Sequence, residues 1–182
     1  MKESVELDRP IIVQKYGGSS VGSTERILLI ADRIEQHLSE TSQLVIVLSA
    51  MGKTTDELVS LANQVSDRPT GREMDLLLAT GEQVTVSLLG LALQNRGVLA
   101  ISLTALQCGI RTDGVFNVAR IKSIDTGRIK AELGSGRVVI VTGFQGINEA
   151  NDVTTLGRGG SDITGAALAA ALGAETCEIC TD

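Results

Sequence analysis

Three segments of this chain are apolar at every consecutive position: Ile11-Ile12-Val13, Leu44-Val45-Ile46-Val47-Leu48 and Val138-Val139-Ile140-Val141. A strand with one wet face alternates apolar and polar residues, so unbroken runs mark strands buried on both faces. Between them lie segments with helical spacing, such as Ile27, Ile30, Ala31, Ile34 and Leu38. Strands alternating with helices predict an α/β fold with a mainly parallel sheet covered on both sides. Further strands are expected over 98–102 and 175–181. Helices are expected from Thr24, over 55–65, over 73–94, over 126–133, and over an alanine-rich stretch ending near Gly173. The stretch 107–123 reads as irregular, with short strands near Val115 and Ile121.

Ligands in such folds sit at the carboxyl ends of the strands. Here those ends carry Lys15-Tyr16-Gly17-Gly18, Ser49-Ala50-Met51-Gly52, Gly143-Phe144-Gln145-Gly146 and Thr181-Asp182. Small and polar residues dominate them. The charge balance excludes one class of ligand: 16 basic against 22 acidic residues give a net charge of −6, the wrong sign for nucleic acid. Tyr16, Phe116 and Phe144, the only aromatic residues, provide no base-stacking platform. The apolar stretch from Leu76 to Leu93 contains Glu82, Gln83 and several hydroxyls, a load that a membrane span would not carry. The first ten residues lack the apolar run of a signal peptide. Three cysteines, Cys108, Cys177 and Cys180, read as free thiols of the cytoplasm. Small-molecule chemistry is the expectation.

Several segments could carry it. In Lys15-Tyr16-Gly17-Gly18-Ser19-Ser20-Val21-Gly22, glycines would let backbone N–H groups crowd an anion beside an aimed ammonium. A plain strand-to-helix turn with a solvated lysine is the alternative. Gly17 to Gly22 has P-loop spacing but Ser23 where lysine is required, and Gly52-Lys53-Thr54 lacks the leading glycine, its place being taken by Val47. In Thr154-Thr155-Leu156-Gly157-Arg158-Gly159-Gly160-Ser161-Asp162, Ser161 can cap a helix and Arg158 offers a fork for a carboxylate or phosphate. Asp162 either serves the helix dipole or positions cationic side chains. Glu82 lies in an apolar helix, where a carboxylate needs a cation unless that face is solvated. Thr54-Thr55-Asp56-Glu57 reads as a capping cluster, and His37, the single histidine, as a surface residue. Triads and histidine metal sites are thereby excluded, and no metal ligands are assigned. Cys177-Glu178-Ile179-Cys180 has redox spacing, but a strand turns the two thiols to opposite faces, so a core role is expected.

The same segments resemble aspartate kinases. Lys15-Tyr16-Gly17-Gly18-Ser19-Ser20-Val21 is similar to that family's opening signature, usually Lys-Phe/Tyr-Gly-Gly-Thr/Ser-Ser-Val. Ser49 to Asp56, Glu73-Met74-Asp75 with Gly81-Glu82, Gly143 to Gly146 and Thr154 to Asp162 match further blocks in the family's order. The resemblance runs from about Ile11 to Asp182 and implies the amino-acid kinase fold, a three-layer αβα sandwich around a mainly parallel sheet. It implies transfer of the γ-phosphoryl of MgATP to the β-carboxylate of L-aspartate, the first step towards lysine, threonine and methionine.

It also implies roles. Lys15, Tyr16, Gly17 and Gly18 resemble the phosphate-binding loop, with Lys15 stabilising transition-state charge and Asp162 organising that lysine. Ser49, Ser161, Thr181 and Asp182 resemble the nucleotide side. Thr55, Glu82, Arg158 and Ser161 resemble substrate contacts, with Glu82 on the aspartate amino group and Arg158 on a carboxylate. The resemblance further implies a homo-oligomer for the full-length protein, and a chain that stops before the rest of the ATP site and the regulatory ACT domains. Against it stand another amino-acid kinase and a non-catalytic amino-acid-binding module.

Overall fold

The computed structural model describes residues 9–38 and 43–181. The chain runs through β1 (Ile11–Tyr16), α1 (Thr24–His37), β2 (Gln43–Leu48), α2 (Thr54–Val65), α3 (Arg72–Leu78), α4 (Thr80–Gln94) and β3 (Ala100–Leu103). It continues through β4 (Ile110–Thr112), β5 (Ile121–Ile124), α5 (Gly127–Gly134), β6 (Val138–Thr142), β7 (Gln145–Ile147), β8 (Val153–Thr155), α6 (Gly160–Leu172) and β9 (Thr176–Cys180). Strands β3-β6-β2-β1-β9 form one sheet in that order, and every pairing in it is parallel.

The unbroken apolar runs do what their pattern predicts. Val45 and Val47 of β2 enter one core with Val13, Val139, Val141, Ile129 and Leu168, on the side of α5 and α6. Ile46 and Leu48 enter the opposite core with Ile140, Ile27, Ile34, Leu89 and Leu93, on the side of α1 and α4. Each fully buried side chain of this size contributes roughly 1.5–3 kcal/mol. Both faces of the sheet at β2 and β6 are therefore committed to packing, which leaves the strand ends to carry polar residues.

Four expectations need correction. The helix over 73–94 is two helices, broken at Ala79, where Thr80 Oγ1 donates to the Leu77 carbonyl at 2.7 Å. Together they have the length and mean hydropathy, 1.6, of a membrane span, yet half of that window is buried inside the fold. The stretch around Val115 forms no strand, because Asp113 Oδ1 accepts the Val115 and Arg120 N–H groups and closes a turn. A second sheet, β5-β4-β7-β8, exists that no periodicity announced; its strands have three or four residues, too few to show a pattern. Last, β9 has one neighbour among the described residues, and Cys177 is exposed rather than in the core.

Candidate functional site

Lys15 is the penultimate residue of β1, and the two-residue alternation of the strand turns it towards α6. That helix comes close because Gly165 has no side chain: a Cβ there would stand 3.3 Å from Lys15 Cβ. The lysine is largely buried, and its Nζ lies 2.6 Å from Asp162 Oδ1 in the first turn of α6. Gly17 and Gly18 follow. A Cβ on Gly17 would stand 3.4 Å from Lys15 Nζ, and one on Gly18 would stand 3.0 Å from the Ala50 carbonyl. Bare backbone thus surrounds the ammonium, an arrangement that suits a polyanion.

The loop after β2 closes the other side. Gly52 N–H donates to the Gly18 carbonyl at 2.9 Å, and Ser49 N–H to the Tyr16 carbonyl at 3.2 Å. Ala50 N–H donates to Glu82 Oε1 at 3.1 Å, which pins this loop to the first turn of α4. Glu82 is only 2 % exposed and has no cation beside it among the described residues. Burial pushes its carboxyl up to about 7, against the opposing pull of N–H donors from its own backbone, from Ala50 and from Gln145. An incoming ammonium group would restore the charged form.

Lys15, Ser49, Thr55, Glu82, Arg158 and Asp162 line one cleft of about 530 Å³. Gly18 and Ser161 line it too. Arg158 stands exposed at its mouth, with no hydrogen bond or ion pair among the described residues. Its loop is held in left-handed conformation at Gly157 and Gly159, φ +77° and +76°. Ser161 does not cap α6, contrary to expectation. Gly159 occupies the cap position without a side-chain bond, and Ser161 sits one step inside the helix.

Tyr16 and Thr181 go elsewhere. Tyr16 points to the other face of β1, donates to Gln14 Oε1 at 3.2 Å and, with Thr181, Arg33 and Cys180, lines a second cavity of about 700 Å³. Burial raises its phenol further above its ordinary value. Asp182 and the side chain of His37 lie outside the described residues.

Two residues of the Gly143–Gly146 segment, to which the sequence assigns no individual role, belong to the site. Gln145, 1 % exposed, donates to the Ala79 carbonyl at 3.1 Å and to Glu82 Oε2 at 3.4 Å. Phe144 lines the cleft with φ +69°, a conformation that side chains rarely adopt, and its N–H donates to Thr164 Oγ1 at 3.1 Å. The signal available was a four-residue segment with glycine at both ends, Gly143 to Gly146, directly after a buried strand.

Comparison with known proteins supplies a context for this cleft. Residues 10–182 match the model of the amino acid kinase family. The chain is 58% identical over 172 residues to an aspartokinase of Bacillus sp. strain MGA3, covering 94% of this chain and 42% of that protein. It is 57% identical to aspartokinase 2 of Bacillus subtilis, with the same coverage. The chain therefore spans less than half the length of these curated relatives. Among solved structures, the aspartate kinase of Synechocystis superposes with a TM-score of 0.81 at 52% identity, over 94% of this chain and 28% of that one. Escherichia coli aspartokinase III in complex with aspartate and ADP superposes with a TM-score of 0.78 at 25% identity, over 90% and 47%.

Proposed function

This chain belongs to the amino acid kinase family, and on that premise we propose that it carries the aspartate- and phosphate-binding part of an aspartate kinase. The reaction is transfer of the γ-phosphoryl of ATP to the β-carboxylate of L-aspartate, giving 4-phospho-L-aspartate on the route to lysine, threonine and methionine. The observation that carries this reading is the convergence of Lys15, Glu82 and Arg158 on one cleft. A buried carboxylate calls for an ammonium, the guanidinium for a carboxylate, and the lysine among glycines for a phosphoryl group.

The acceptor carboxylate has an ordinary pKa near ~3.9 and is ionised at neutral pH, so no base is needed. One of its oxygens bonds to phosphorus as the bond from phosphorus to the β,γ-bridging oxygen breaks, and ADP leaves with that electron pair. Catalysis then reduces to positioning and charge. Glu82 and Arg158 hold the zwitterionic end of aspartate and point its β-carboxylate towards Lys15. Lys15, oriented by Asp162, faces the charge on the transferring group. Gly17 and Gly18 leave room for the phosphates, and Ser49 and Ser161 border them. Thr55 closes the aspartate side. Tyr16 and Thr181, which line the second cavity, belong to the nucleotide side, and so does Asp182.

Among the described residues no three His, Cys, Asp or Glu side chains gather as a metal cage. Magnesium would accordingly be held chiefly by nucleotide phosphates and water, its ordinary manner in kinases. We place the complete protein in the cytoplasm as a homo-oligomer, without nucleic-acid or membrane partners.

Hydroxylamine trapping tests the reading. The complete protein with L-aspartate and MgATP should form the aspartyl hydroxamate. L-Glutamate or N-acetyl-L-glutamate in its place should form far less. Equal hydroxamate from glutamate would assign the cleft to another amino acid.

A further inference from the structure

Asp75, in α3, is fully buried, and among the described residues no cation pairs with it. Its carboxylate instead accepts from two separate loops, one opened by Thr155 at the end of β8 and one that holds Asn117. Thr155 donates its N–H to Oδ2 and its hydroxyl to Oδ1, both at 2.8 Å. Asn117 donates its N–H to both oxygens, at 2.9 and 3.1 Å, and its side-chain amide to Oδ1. Asn117 is itself tied back: its Oδ1 accepts from Thr70 Oγ1 at 2.9 Å and from Gly71 N–H at 3.0 Å.

The two loops meet beside the cleft. A Cβ on Gly157 would stand 3.3 Å from the Asn117 carbonyl, and Ala119 N–H donates to the Thr155 carbonyl at 2.8 Å. Arg158 is the next residue. Its side chain has no partner of its own among the described residues, so its backbone decides where it points.

A buried carboxylate without a counter-ion is a costly way to fill space. An apolar residue would pack there, but only an acceptor-only group can receive donors from both loops at once. We infer that Asp75 is a positioning residue for the aspartate site: it locks the 113–118 loop to the 155–158 loop and so aims Arg158 at the ligand carboxylate. The inference rests on the aspartate kinase reading above.

The test uses the complete protein. Asp75→Asn puts an amide N–H against a donor, and KM for L-aspartate should rise about 10-fold, the lower end of the loss seen when a residue that orients a metal ligand is removed. KM for ATP should stay within about twofold. Calorimetric titration with L-aspartate alone should show the same loss. In an Arg158→Ala background the effect of Asp75→Asn on the aspartate KM should shrink to less than about twofold, because the group being aimed is gone. Thr155→Val should act like Asp75→Asn more weakly, and Thr155→Ser, which keeps the hydroxyl, should stay near wild type. This pair decides the matter if Asp75→Asn does not fold. A purely structural Asp75 would give fewer active molecules: lower apparent kcat with both KM values unchanged. That result, or an undiminished KM effect without Arg158, overturns the inference. Wild-type protein with no saturable response to L-aspartate would overturn the functional reading itself, and this role with it.

Discussion

Lys15 Nζ and Asp162 Oδ1 stand 2.6 Å apart, joining the end of β1 to the first turn of α6. Asp162 is about half exposed, so the pair adds little to stability, about 0–1 kcal/mol by the usual measure of such bridges. On the aspartate kinase reading, its value lies in aiming the ammonium. Lys15→Met in the complete protein should lower kcat by on the order of 10²–10³, the usual loss for one donor to transition-state charge. Turnover within threefold of wild type would remove Lys15 from the chemistry.

Asp162→Asn separates aim from stability. Thermal unfolding should move by no more than about 1 kcal/mol, while kcat falls and both KM values hold. A large loss of stability with normal kcat would make the bridge a purely structural one.

A substrate contact at Arg158 and a phosphate contact there predict different kinetics, and the aspartate kinase reading requires the first. Arg158→Ala should raise KM for L-aspartate about 10- to 100-fold, since charge-assisted bonds contribute roughly 1.5–3 kcal/mol. KM for ATP should change much less. Steady-state kinetics with each substrate varied decides this, and equal rises would place Arg158 on the nucleotide.

Glu82 makes stability depend on pH in a predictable direction. Its carboxyl is raised by burial from 4.5 to about 7. The favourable contribution is therefore present below the unfolded value and is lost as pH rises through about 7. Glu82→Gln, which keeps an acceptor for Ala50 N–H, should differ little from wild type at pH 5. At pH 8 it should be the more stable protein, by up to roughly 3 kcal/mol. It should also bind L-aspartate more weakly, having no charge for the ammonium. Calorimetric unfolding at the two pH values is the check, and a pH-independent difference would mean that Glu82 is solvated.

Gly81→Ala should reverse the usual sign of a helix substitution. Inside a helix, alanine ordinarily gains about 0.8–1.0 kcal/mol over glycine. Here the new Cβ would stand 2.8 Å from Ala50 Cβ and press on the loop that Glu82 holds. Destabilisation of about 1–3 kcal/mol is expected instead. A stabilised variant would show that α4 and the Ala50 loop are not in contact.

The sequence was most legible where a pattern repeats. Unbroken apolar runs mark β2 and β6 within about a residue and the start of β1, because burial on both faces leaves no alternative composition. The glycines around Lys15 and Arg158 stood out because bare backbone is needed where chains approach closely, as at Gly18. The second sheet stayed hidden because strands as short as Val153–Thr155 show no period. Asp75 and Gln145 lie in segments that the sequence singles out, but their own roles, like that of Asn117, are not legible there for a different reason. Their partners lie 42 to 80 residues away, so nothing local distinguishes them from surface polar residues. Strand alternation alone suggests a core place for Cys177, yet it is exposed, because among the described residues β9 pairs with β1 alone.

The most direct measurement concerns which atom receives the phosphoryl group. Borohydride reduces an acyl phosphate to the alcohol, so the product of the complete protein with L-aspartate and MgATP can be identified after reduction. If Glu82 and Arg158 hold the amino-acid end and Lys15 faces the β-carboxylate, the reduced product is homoserine, and Lys15→Met yields almost none. Recovery of 3-amino-4-hydroxybutanoate would mean that the α-carboxylate is phosphorylated, and the orientation assigned to Glu82, Arg158 and Lys15 would be wrong.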